Sequence, residues 1–547
     1  MVLLTHLKPQ VIEAIRSLIV EDCRLEEYIR IYDEEISRGL AAETYQDATV
    51  KSIVTYVNKL PNGNEEGQFL GLDFSGPTIK VVLVLLQNRQ CTMTRKFYDI
   101  PTRYMTGKSV KVFDFIAKSL VDFLGGIKLK MLRIPLGVTF GFPIEQTSLQ
   151  DCKLLRWTKG FECDDLIGKN VFSALKDSIR KYPELKKLFV IGILNDAVSA
   201  VLGCAWQDPT CRMGAVIGFG ASCCYAEKVD RVTKYAAESY SIRDIYINLE
   251  SADLGSNGCL DFIRSEFDRQ MDEQSKNPGM QMNDKMTSIA YLGEIARLAL
   301  LRCIEINAIL GGVISDRLAE RNSFELAHMA RIESDPETDH KNCREVLQEF
   351  GYQGVTDEDC FQVQFVCRCV SRRSANLVAA QLATVINRIN VPMVRIAIDG
   401  ELINSYPNFK WYLNRKLTTL KKESCDFEMR ESEESGLGPA VMAAVFGEEV
   451  MDRDEKFRRL PGFPMDKCHF NKKGRCMNPD CNMTHPCDVS NINPLDSPMV
   501  TNSKDLLMDQ CCKQKKGDSE KPPCGNQAGN KKSCGGCGGC KGYDEIS

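Results

Sequence analysis

A buried strand that runs straight into a polar pair and then a glycine-broken hairpin is the feature that most constrains this chain. It spans residues 191–225 and reads IGILNDAVSAVLGCAWQDPTCRMGAVIGFGASCCY. Asn195 and Asp196 follow the apolar strand, at the strand end where open α/β sheets place their chemistry. Gly218 and Gly220 break the second apolar segment, and a glycine turn lets backbone N–H groups approach a phosphate closely. The combination indicates phosphoryl transfer, although the stretch alone is more simply a capped strand followed by an ordinary hairpin.

Length and charge set broad limits on the function. The 547 residues suffice for two or more domains, and the net charge of −4 does not favour a general attraction to nucleic acid or anionic membranes. The longest apolar runs, such as VVLVLL at 81–86, are too short to cross a bilayer. The N-terminal sequence MVLLTHLKPQ lacks the apolar core of a signal peptide. We therefore predict a cytoplasmic protein.

Strand-like and helix-like segments alternate through the first 450 residues, which indicates an α/β architecture. Residues 1–66 carry a helical pattern that ends at the turn LPNGNEEG. A hairpin broken by Gly76–Pro77 is similar to the one at 214–227, so two related halves are a hypothesis. Periodicity stops near Met451, and a tail is predicted from there to the end. Further helical patterns lie at 167–186, 285–333 and 358–390.

Many of these segments, taken in order, resemble hexokinases, the ATP-dependent sugar kinases of the actin-like two-lobed fold. The resemblance covers nearly all of residues 30–450. Its most specific segments are EEISRGLAAET, GLDFSG, TFGFPIEQTSL, WTKGF, LNDAVSAVL, the GFG turn with CCYAE, and NPGMQMNDKMTSIAYLGEIARLALL, with SFELAHMARIESD, IAIDGELINSYPNF and ESEESGLGPA beyond them. Each segment is weak evidence by itself, but their collinear order supports the family.

The resemblance implies an α/β fold of the two-lobed actin-like (ribonuclease H-like) ATPase type with a Cys-rich tail. Residues 1–66 are then N-terminal helices of the large lobe, and 67–204 form the small lobe. The large lobe takes 205–450, including a C-terminal helix that returns to the small lobe. The tail comprises 451–547.

The resemblance also implies catalytic residues in the cleft between the lobes. Asp196 would be the general base for the 6-hydroxyl of the sugar, because a carboxylate within hydrogen-bond reach helps to remove the proton as the P–O bond forms. Lys159 would hold the sugar and neutralise charge on the transferring phosphoryl group.

Other residues match family positions that bind the sugar. Asn195 can both donate hydrogen bonds to sugar hydroxyls and accept them. Glu250 and Glu294 match two glutamates that accept hydrogen bonds from the sugar, and carboxylates suit a polyol because it mainly offers donors. Without the resemblance, Glu294 would be only a solvated helix face. Thr158 and Ser222 complete the predicted sugar site.

ATP with Mg²⁺ is expected against the two glycine turns, at 73–80 and 218–222. The predicted ATP-binding residues are Asp73, Ser75, Gly76, Thr78, Lys80, Gly218, Phe219 and Gly220.

The departures from the family pattern cluster on this nucleotide side. The family's first turn is LDLGGTNFR, and here it is LDFSGPTIK, so Ser75 and Pro77 replace a glycine and a threonine. Proline has no N–H to offer a phosphate, and Lys80 lacks the bidentate fork of the family arginine. In the second turn, G-T-G-S-N in the family, Phe219 removes a hydroxyl and Ser222 replaces an amide.

Two further departures bear on the cleft. Gly141 in TFGFP replaces a family serine that contacts the sugar. Glu401 stands where serine is common, and Glu320 where threonine is usual, so carboxylates are added near the expected polyphosphate. Losing one preorganised donor typically costs about 2.7–4 kcal/mol of transition-state stabilisation. The altered turns therefore indicate reduced activity.

The tail holds ten of the 25 cysteines, which in a reducing compartment indicates metal binding or a thiol-rich tail. Within 466–487, three cysteines and a histidine have spacings similar to CCCH zinc fingers, and they could close a tetrahedral zinc site. RNA binding is the less favoured hypothesis for this segment, and CGGCGGC at 534–540 is interpreted as a flexible low-complexity segment that could contact protein partners. The predicted zinc ligands are Cys468, Cys476, Cys481 and His485.

The leading hypothesis is an ATP-dependent hexokinase that phosphorylates glucose or a related hexose at the 6-hydroxyl and feeds glycolysis. The alternative is a catalytically weak hexokinase-like protein that serves as a sugar sensor or scaffold. The eroded ATP turns favour the alternative, and the intact base and sugar residues favour the enzyme.

Overall fold

A computed structural model describes residues 7–127, 133–235, 243–336, 338–431 and 436–458, with side chains up to residue 452. Residues Met1–Glu455 form one compact unit. The helices are α1 Pro9–Ala14, α2 Asp22–Leu40, α3 Thr102–Met105, α4 Ser109–Gly125, α5 Val171–Ile179, α6 Asp196–Gln207, α7 Glu266–Glu273, α8 Met282–Thr287, α9 Ile289–Glu305, α10 Asp316–Ala319, α11 Leu326–Glu333, α12 Lys341–Glu349, α13 Asp357–Ile389, α14 Glu401–Asn404, α15 Phe409–Leu420 and α16 Leu437–Arg458. The strands are β1 Ile53–Val54, β2 Gly67–Phe74, β3 Thr78–Gln87, β4 Gln90–Asp99, β5 Ile134–Phe140, β6 Ile144–Gln146, β7 Cys152–Leu154, β8 Leu188–Leu194, β9 Cys211–Ile217, β10 Ala221–Lys228, β11 Asp244–Asn248, β12 Met393–Asp399 and β13 Asp426–Glu431.

Two sheets with the same strand order form the framework. The five-stranded sheet runs β4-β3-β2-β5-β8, and the six-stranded sheet runs β1-β11-β10-β9-β12-β13. In each, three antiparallel strands are followed by two that pair in parallel with their neighbours. The larger sheet has the short strand β1 added at one edge. The shared order agrees with the hypothesis of two related halves, and the fold is α/β as expected.

The two glycine turns lie at equivalent places in the two sheets. The β2–β3 hairpin closes with Asp73 opposite Lys80, and the β9–β10 hairpin closes with Ile217 opposite Ala221. Strand β5 next to the first hairpin is buried along its whole length, as expected for a parallel strand covered on both faces. Each sheet therefore presents a backbone turn next to a parallel strand end.

Separate apolar cores cover the sheets. The largest is built around α13, a 33-residue helix that begins where the Thr356 side chain accepts a hydrogen bond from the Asp359 N–H. The core on one side of the five-stranded sheet contains an aromatic cluster in which Phe74, Phe142 and Trp157 are in contact. This cluster fixes the loop after Trp157, which supplies residues to the cleft.

Helix α16 packs across the five-stranded sheet and α6, and it contributes Ala440, Met442 and Phe446 to a core that these elements share. Two strand glycines allow its close approach. A Cβ atom on Gly137 would overlap the carbonyl oxygen of Pro439, and one on Gly71 would overlap that of Gly436. Only glycine fits at these two positions without a shift of the backbone.

Several predicted elements differ from the structure. The helical pattern predicted for residues 1–66 ends at Leu40, and β1 then joins the larger sheet. The helix predicted at 167–186 is shorter, because Pro183 begins a separate 3₁₀ turn. The block at 285–333 is divided among α8 to α11, while α13 matches the prediction for 358–390 closely. Helix α16 continues to Arg458, beyond the predicted tail boundary at 451.

The proposed division into lobes at 67–204 and 205–450 stays a prediction, since Met1–Glu455 form one compact unit. The strands of the five-stranded sheet do lie within the first of these segments, and β9 to β13 lie within the second.

Candidate active site

A cavity of about 300 Å³ opens where strand ends and turns of the two sheets meet. The five-stranded sheet side contributes Asp73 from the end of β2 and Thr139 from β5. The other side contributes the β9–β10 turn and the segment after β11. Of the predicted residues, those that line the cavity are Asp73, Ser75, Thr158, Lys159, Asn195, Asp196, Gly218, Phe219, Gly220, Ser222 and Glu250.

Asp196 is the first residue of α6, directly after β8. The Asn195 side chain caps the helix by accepting from the Ala197 N–H at 3.3 Å, and Asp196 Oδ1 accepts from the same N–H at 2.8 Å. The other oxygen, Oδ2, lies 3.6 Å from Lys159 Nζ. The N-terminus of a helix and an ammonium group both attract a carboxylate. The helix and the lysine together fix the direction of the one oxygen that remains available.

Lys159 is held in a single position by the backbone around it. Its Nζ donates to the carbonyl oxygens of Ser75, at 2.8 Å, and Gly141, at 2.6 Å. Its φ of 57° is in the left-handed region, which is strained for a residue with a side chain. The loop keeps this conformation because Trp157 Nε1 donates to the Cys163 carbonyl and the Trp157 ring stacks on Phe161.

The side of the cavity predicted to bind the sugar is acidic. Glu250 also has a positive φ, of 50°, and Asn248 Nδ2 donates to its Oε1 at 2.9 Å. Burial raises the pKa of Glu250, and Arg156 opposes this shift. Arg156 is in turn held by Asp253, whose carboxylate lies 2.8 Å from its Nη1. A buried carboxylate near a guanidinium gives the cavity strong hydrogen-bond acceptors.

Glu294, which was predicted as a sugar ligand, is not among the residues that line this cavity. It is buried on α9, where it forms a bidentate ion pair with Arg297 at 2.7 and 2.8 Å and accepts from the Asn322 N–H. The pair is an i,i+3 contact on one helix, and three donors already bind the carboxylate. Glu294 instead borders a separate cavity of about 410 Å³.

Asp284 of α8 is the carboxylate that lines the cavity beside Glu250. Burial raises its pKa to about 7, with Arg156 opposing and Glu250 adding to the shift. It lies in the segment NPGMQMNDKM, which resembles hexokinases. Asp284 was nevertheless not among the residues predicted to form the site. The one signal in the sequence was a carboxylate in a polar run just before an apolar helix.

The first phosphate turn is only partly brought to the cavity. Ser75 Oγ donates to Asp73 Oδ1, and burial raises the pKa of Asp73. Thr78 instead donates to Asp99 at 2.7 Å, and Lys80 Nζ lies over the Phe97 ring at 5.3 Å. Gly76 follows at the turn and is not among the residues that line the cavity. The predicted ATP contacts of Gly76, Thr78 and Lys80 therefore remain predictions.

Two of the departures in sequence are paired in space. A Cβ atom on Gly141 would lie 2.7 Å from both Cα and Cβ of Ser75. The sequence carries the family's serine and glycine in exchanged positions, and a side chain at 141 would crowd both the backbone and the side chain of Ser75. A hydroxyl group still lines the cavity, now from Ser75.

In the second phosphate turn, the exposed ring of Phe219 separates the cavity from a neighbouring one. This second cavity, of about 350 Å³, is mostly apolar and is lined in part by Ile289, Leu326 and Tyr406. Glu401, the first residue of α14, borders both cavities, and a Cβ atom on Gly218 would lie 3.4 Å from its backbone nitrogen. Glu320 is exposed at the end of α10 and does not line the cavity.

Metal and membrane features can be judged only for the described residues. Among them, no group of three or more His, Cys, Asp or Glu side chains could hold a metal ion. Cys468, Cys476, Cys481 and His485 all lie outside the described residues, so the predicted zinc site is not tested. None of the helices within the described ranges is long and apolar enough to span a membrane.

The two sheets with matching strand order give the chain the α/β fold of actin-like sugar kinases. Two hexokinase family models match the chain, over residues 10–206 and 212–445. Hexokinase type 1 of Drosophila melanogaster is 32% identical over 423 residues, which cover 77% of this chain and 90% of that protein. The chain belongs to the hexokinase family.

Hexokinase-2 of Equus caballus is 37% identical over 421 residues, and the match covers 75% of this chain. The chain spans 45% of that relative's length. A hexokinase from Schistosoma mansoni, solved in complex with glucose, superposes with a TM-score of 0.73 at 32% identity, covering 80% of this chain and 98% of the other.

Proposed function

We propose that this protein transfers the terminal phosphoryl group of Mg-ATP to the 6-hydroxyl of glucose or a related hexose. The observation that carries the proposal is the position of Asp196, whose carboxylate lies on the cavity wall beside Lys159. The solved structure of a relative bound to glucose supports the choice of sugar.

The sugar side fits a polyol. Glu250 and Asp284 offer acceptors for hydroxyl protons, while Asn195, Thr158 and Ser222 can both donate and accept. A hexose that lies between these groups would present one hydroxyl to Asp196 Oδ2, the oxygen that does not bind the α6 backbone. That oxygen is the acceptor for the proton released as the hydroxyl attacks.

Lys159 stabilises this arrangement from a fixed position. Its ammonium group is bound to two backbone carbonyls and lies near Asp196, so it stays on the wall of the cavity. From there it attracts both the carboxylate base and the negative charge of a transferring phosphoryl group. Its fixed position means that no reorganisation is needed during the reaction.

The nucleotide side fits Mg-ATP in part. Gly218 and Gly220 line the cavity without side chains, although the Gly218 N–H donates to the Gly220 carbonyl at 2.9 Å, and the apolar cavity beyond Phe219 has room for a base. Asp73, Asp399 and Glu401 would repel a free polyphosphate, but one of these carboxylates could contribute an oxygen ligand to its magnesium ion. When bound, magnesium would neutralise part of the phosphate charge. The bulk of Phe219 opposes close binding of the phosphates to the turn.

A coupled assay for glucose 6-phosphate, on the full chain and on Asp196→Ala, tests the proposal. We expect turnover in the wild type and a loss of about 10²- to 10⁴-fold in the variant, the usual contribution of a general base. Asp177→Ala, at an exposed helix position, is the matched control and should keep full activity. Equal, near-zero rates for wild type and Asp196→Ala, with glucose still bound, would contradict the proposal.

That outcome would support the second candidate, a sugar-binding sensor or scaffold with little turnover. Phe219 and Glu401 favour it, because both border the expected path of the phosphates while most of the predicted sugar residues line the cavity. In this case, glucose affinity measured by calorimetry would be kept and nucleotide affinity would be weak.

The tail and the location rest on sequence alone. We propose a zinc site formed by Cys468, Cys476, Cys481 and His485, and the zinc content of the full chain, reduced in Cys476→Ser, would test it. A cytoplasmic location, protein partners of the tail and the less favoured RNA association remain predictions.

A further inference from the structure

A fourth cavity, of about 510 Å³, lies apart from the active-site cavity. Helix α2 and the C-terminal end of α13 form two of its walls. The 3₁₀ turn Val229–Arg231 and the segment between α15 and β13 complete it. Within the described ranges, none of its lining residues also lines one of the three cavities described above.

The walls of this cavity, which we call the α13 cavity, are rich in cations. Among the described residues that line it there is one carboxylate, that of Asp33, and there are four positively charged side chains. The four are Arg30, Arg231, Arg388 and Lys422. The whole chain has a net charge of −4, so the positive charge here is a local excess. Walls of this kind attract an anion.

Arg388 is the buried part of the wall. Its side chain is 9% exposed, and its Nε donates to Glu227 Oε2 at 2.6 Å and to Tyr225 Oη at 3.0 Å. Its Nη1 donates to Asp33 Oδ1 at 2.8 Å and to Ser37 Oγ at 2.9 Å. These contacts fix the plane of the guanidinium group. Its Nη2 has no hydrogen-bond partner in the part of the chain that the structure describes, so two N–H donors are left for a ligand.

Two exposed cations of the cavity are incompletely neutralised. Arg231 Nη1 lies 3.5 Å from Glu227 Oε1, on a carboxylate that Arg388 also binds. Lys422 forms no ion pair with any described residue, and its Nζ donates to a backbone carbonyl at the end of α13, at 3.3 Å. That contact caps the helix but leaves the positive charge unbalanced. Arg30 differs, because two glutamates of its own helix bind it.

Two asparagines add neutral donors to the same walls. Asn387 Oδ1 accepts from the Lys422 N–H at 2.8 Å, and Asn390 Oδ1 accepts a weak hydrogen bond from Cys425 Sγ at 3.8 Å. The protein thus uses both amide oxygens, and among the described residues nothing accepts from the two Nδ2 groups. Asn390 ends α13 in the left-handed conformation, with a φ of 50°, which asparagine tolerates well.

A phosphate group matches this excess of donors. It carries about 1.5 to 2 negative charges at pH 7 and presents several acceptor oxygens, which suit arginine and lysine donors. The cavity is larger than one such group, and Ile29 offers an apolar contact to the rest of a small molecule. We propose that the α13 cavity is a second ligand site that binds a phosphate group, as the free ion or on a small phosphate ester. The site does not depend on the proposed kinase reaction.

Calorimetric titration of the full chain, without sugar or ATP, tests the site with two probes, inorganic phosphate and glycerol 3-phosphate. The double variant Arg231→Gln with Lys422→Gln removes two exposed cations and keeps the contacts of Arg388. We expect it to bind the probes about tenfold more weakly or worse, because charge-assisted hydrogen bonds are lost. The matched control is Lys118→Gln with Arg180→Gln, which removes the same charge at exposed positions on and after other helices and should bind as the wild type does.

The two probes and the variants give distinct outcomes. Tighter binding of glycerol 3-phosphate would support an ester as the ligand, and tighter binding of inorganic phosphate would support the free ion. Equal affinity in the wild type and the double variant would mean that the probes bind elsewhere, for example at the glycine turns, and would overturn the site. No binding of either probe at millimolar concentrations would also overturn it.

Folding and catalysis are controlled separately. The melting temperature of each variant identifies a loss of folding, and the single variant Lys422→Gln, at an exposed position, then decides. Because the titration needs no turnover, phosphate binding that is lost in the double variant would support the site even in a protein without kinase activity. Kinase activity with no effect of the double variant on phosphate binding would remove the site and keep the proposed function.

Discussion

Phe219 departs from the hexokinase pattern on the side of the cavity that we propose binds ATP. Its ring is 47% exposed at the centre of the β9–β10 turn, between the cleft and the neighbouring apolar cavity. Because the ring is exposed there, it contributes little to the core, and its main effect is on what can approach the turn.

We expect Phe219→Thr to lower KM for Mg-ATP by about tenfold or more, since it removes bulk and restores a hydroxyl donor worth about 1.5–3 kcal/mol to a charged group. KM for glucose should stay the same. Trp411→Thr, which also removes an exposed aromatic ring, is the control and should change neither value. An unchanged KM for Mg-ATP in Phe219→Thr would show that the ring does not limit nucleotide binding.

Ser75 and Gly141 are coupled by space. Placing a serine at Gly141 alone brings its Cβ to 2.7 Å from Ser75 Cα and Cβ, so the backbone must move. We expect Gly141→Ser to lower the free energy of unfolding by about 1–3 kcal/mol, as overpacking does. Adding Ser75→Gly should recover at least about 1 kcal/mol of it, measured by urea unfolding of both single variants and the double variant. Strict additivity would contradict this coupling.

The predicted residues that the structure brings to the cavity share one physical property. Asp196 and Glu250 follow strands, and Lys159 lies in a turn. At such positions the direction of the chain determines where the side chain points. Glu294 lies on a helix, and only the structure shows that Arg297 three residues later takes its charge. Asp284 was missed because α8 is a six-residue helix, whose register no apolar pattern can set.

The buried carboxyl group of Glu333 links α11, α13 and the segment before α15 through hydrogen bonds. Glu333 is 2% exposed and accepts from Tyr406 Oη at 2.6 Å and Ser371 Oγ at 3.0 Å. Burial raises its pKa to about 7, more than these two hydrogen bonds lower it. The folded protein thus keeps a proton here that the unfolded chain loses near its ordinary pKa of 4.5.

The stability contributed by this proton is complete below about pH 4.5 and is lost as the pH rises through about 7. Between about pH 5 and 8, the free energy of unfolding should fall by roughly 2–3 kcal/mol from this group. In Glu333→Gln, that part of the pH dependence should be absent. Urea unfolding at several pH values measures it, with the exposed Glu26→Gln as the control. Parallel pH curves for wild type and Glu333→Gln would refute the assignment.

Helices and strands were predicted more accurately from the sequence where the hydrophobic pattern extended over many residues. Helix α13 matched because 33 residues with a Thr cap and acidic first turn define a helix by themselves. The segment after Leu40 did not, because β1 is only two residues long and exists through its pairing with β11. Its strand conformation depends on a partner almost two hundred residues away in sequence.

Helix α16 connects parts of the chain that are distant in sequence. It crosses β5 at Gly137, where the Pro439 carbonyl occupies the place that a Cβ atom would take. The same crossing brings Gly438 against α6, since a Cβ atom there would overlap the Ser199 carbonyl oxygen. The N-terminal end of α16 therefore touches both β5 and the helix that begins with Asp196.

We expect Gly137→Ala to lower the free energy of unfolding by about 3 kcal/mol or more, at the upper end of overpacking effects. Gly126→Ala is the matched control, because no atom lies within 4 Å of its added Cβ, and it should stay within about 0.5 kcal/mol of wild type. Thermal melts of the three proteins measure the difference. Equal melting temperatures would show that α16 can shift away from β5 at no cost.

The crossing of α16 also sets an order of events during synthesis. All strands of the five-stranded sheet have been synthesised once β8 has been made. Val82 and Val84 on one of its faces, however, are covered by a core that includes Val441 and Phe446. Until the ribosome has released those residues, that face has no final partner and must be shielded from aggregation. Contacts so distant in sequence also slow folding, because a long loop must close first. The five-stranded sheet is therefore synthesised well before the helix that completes its core.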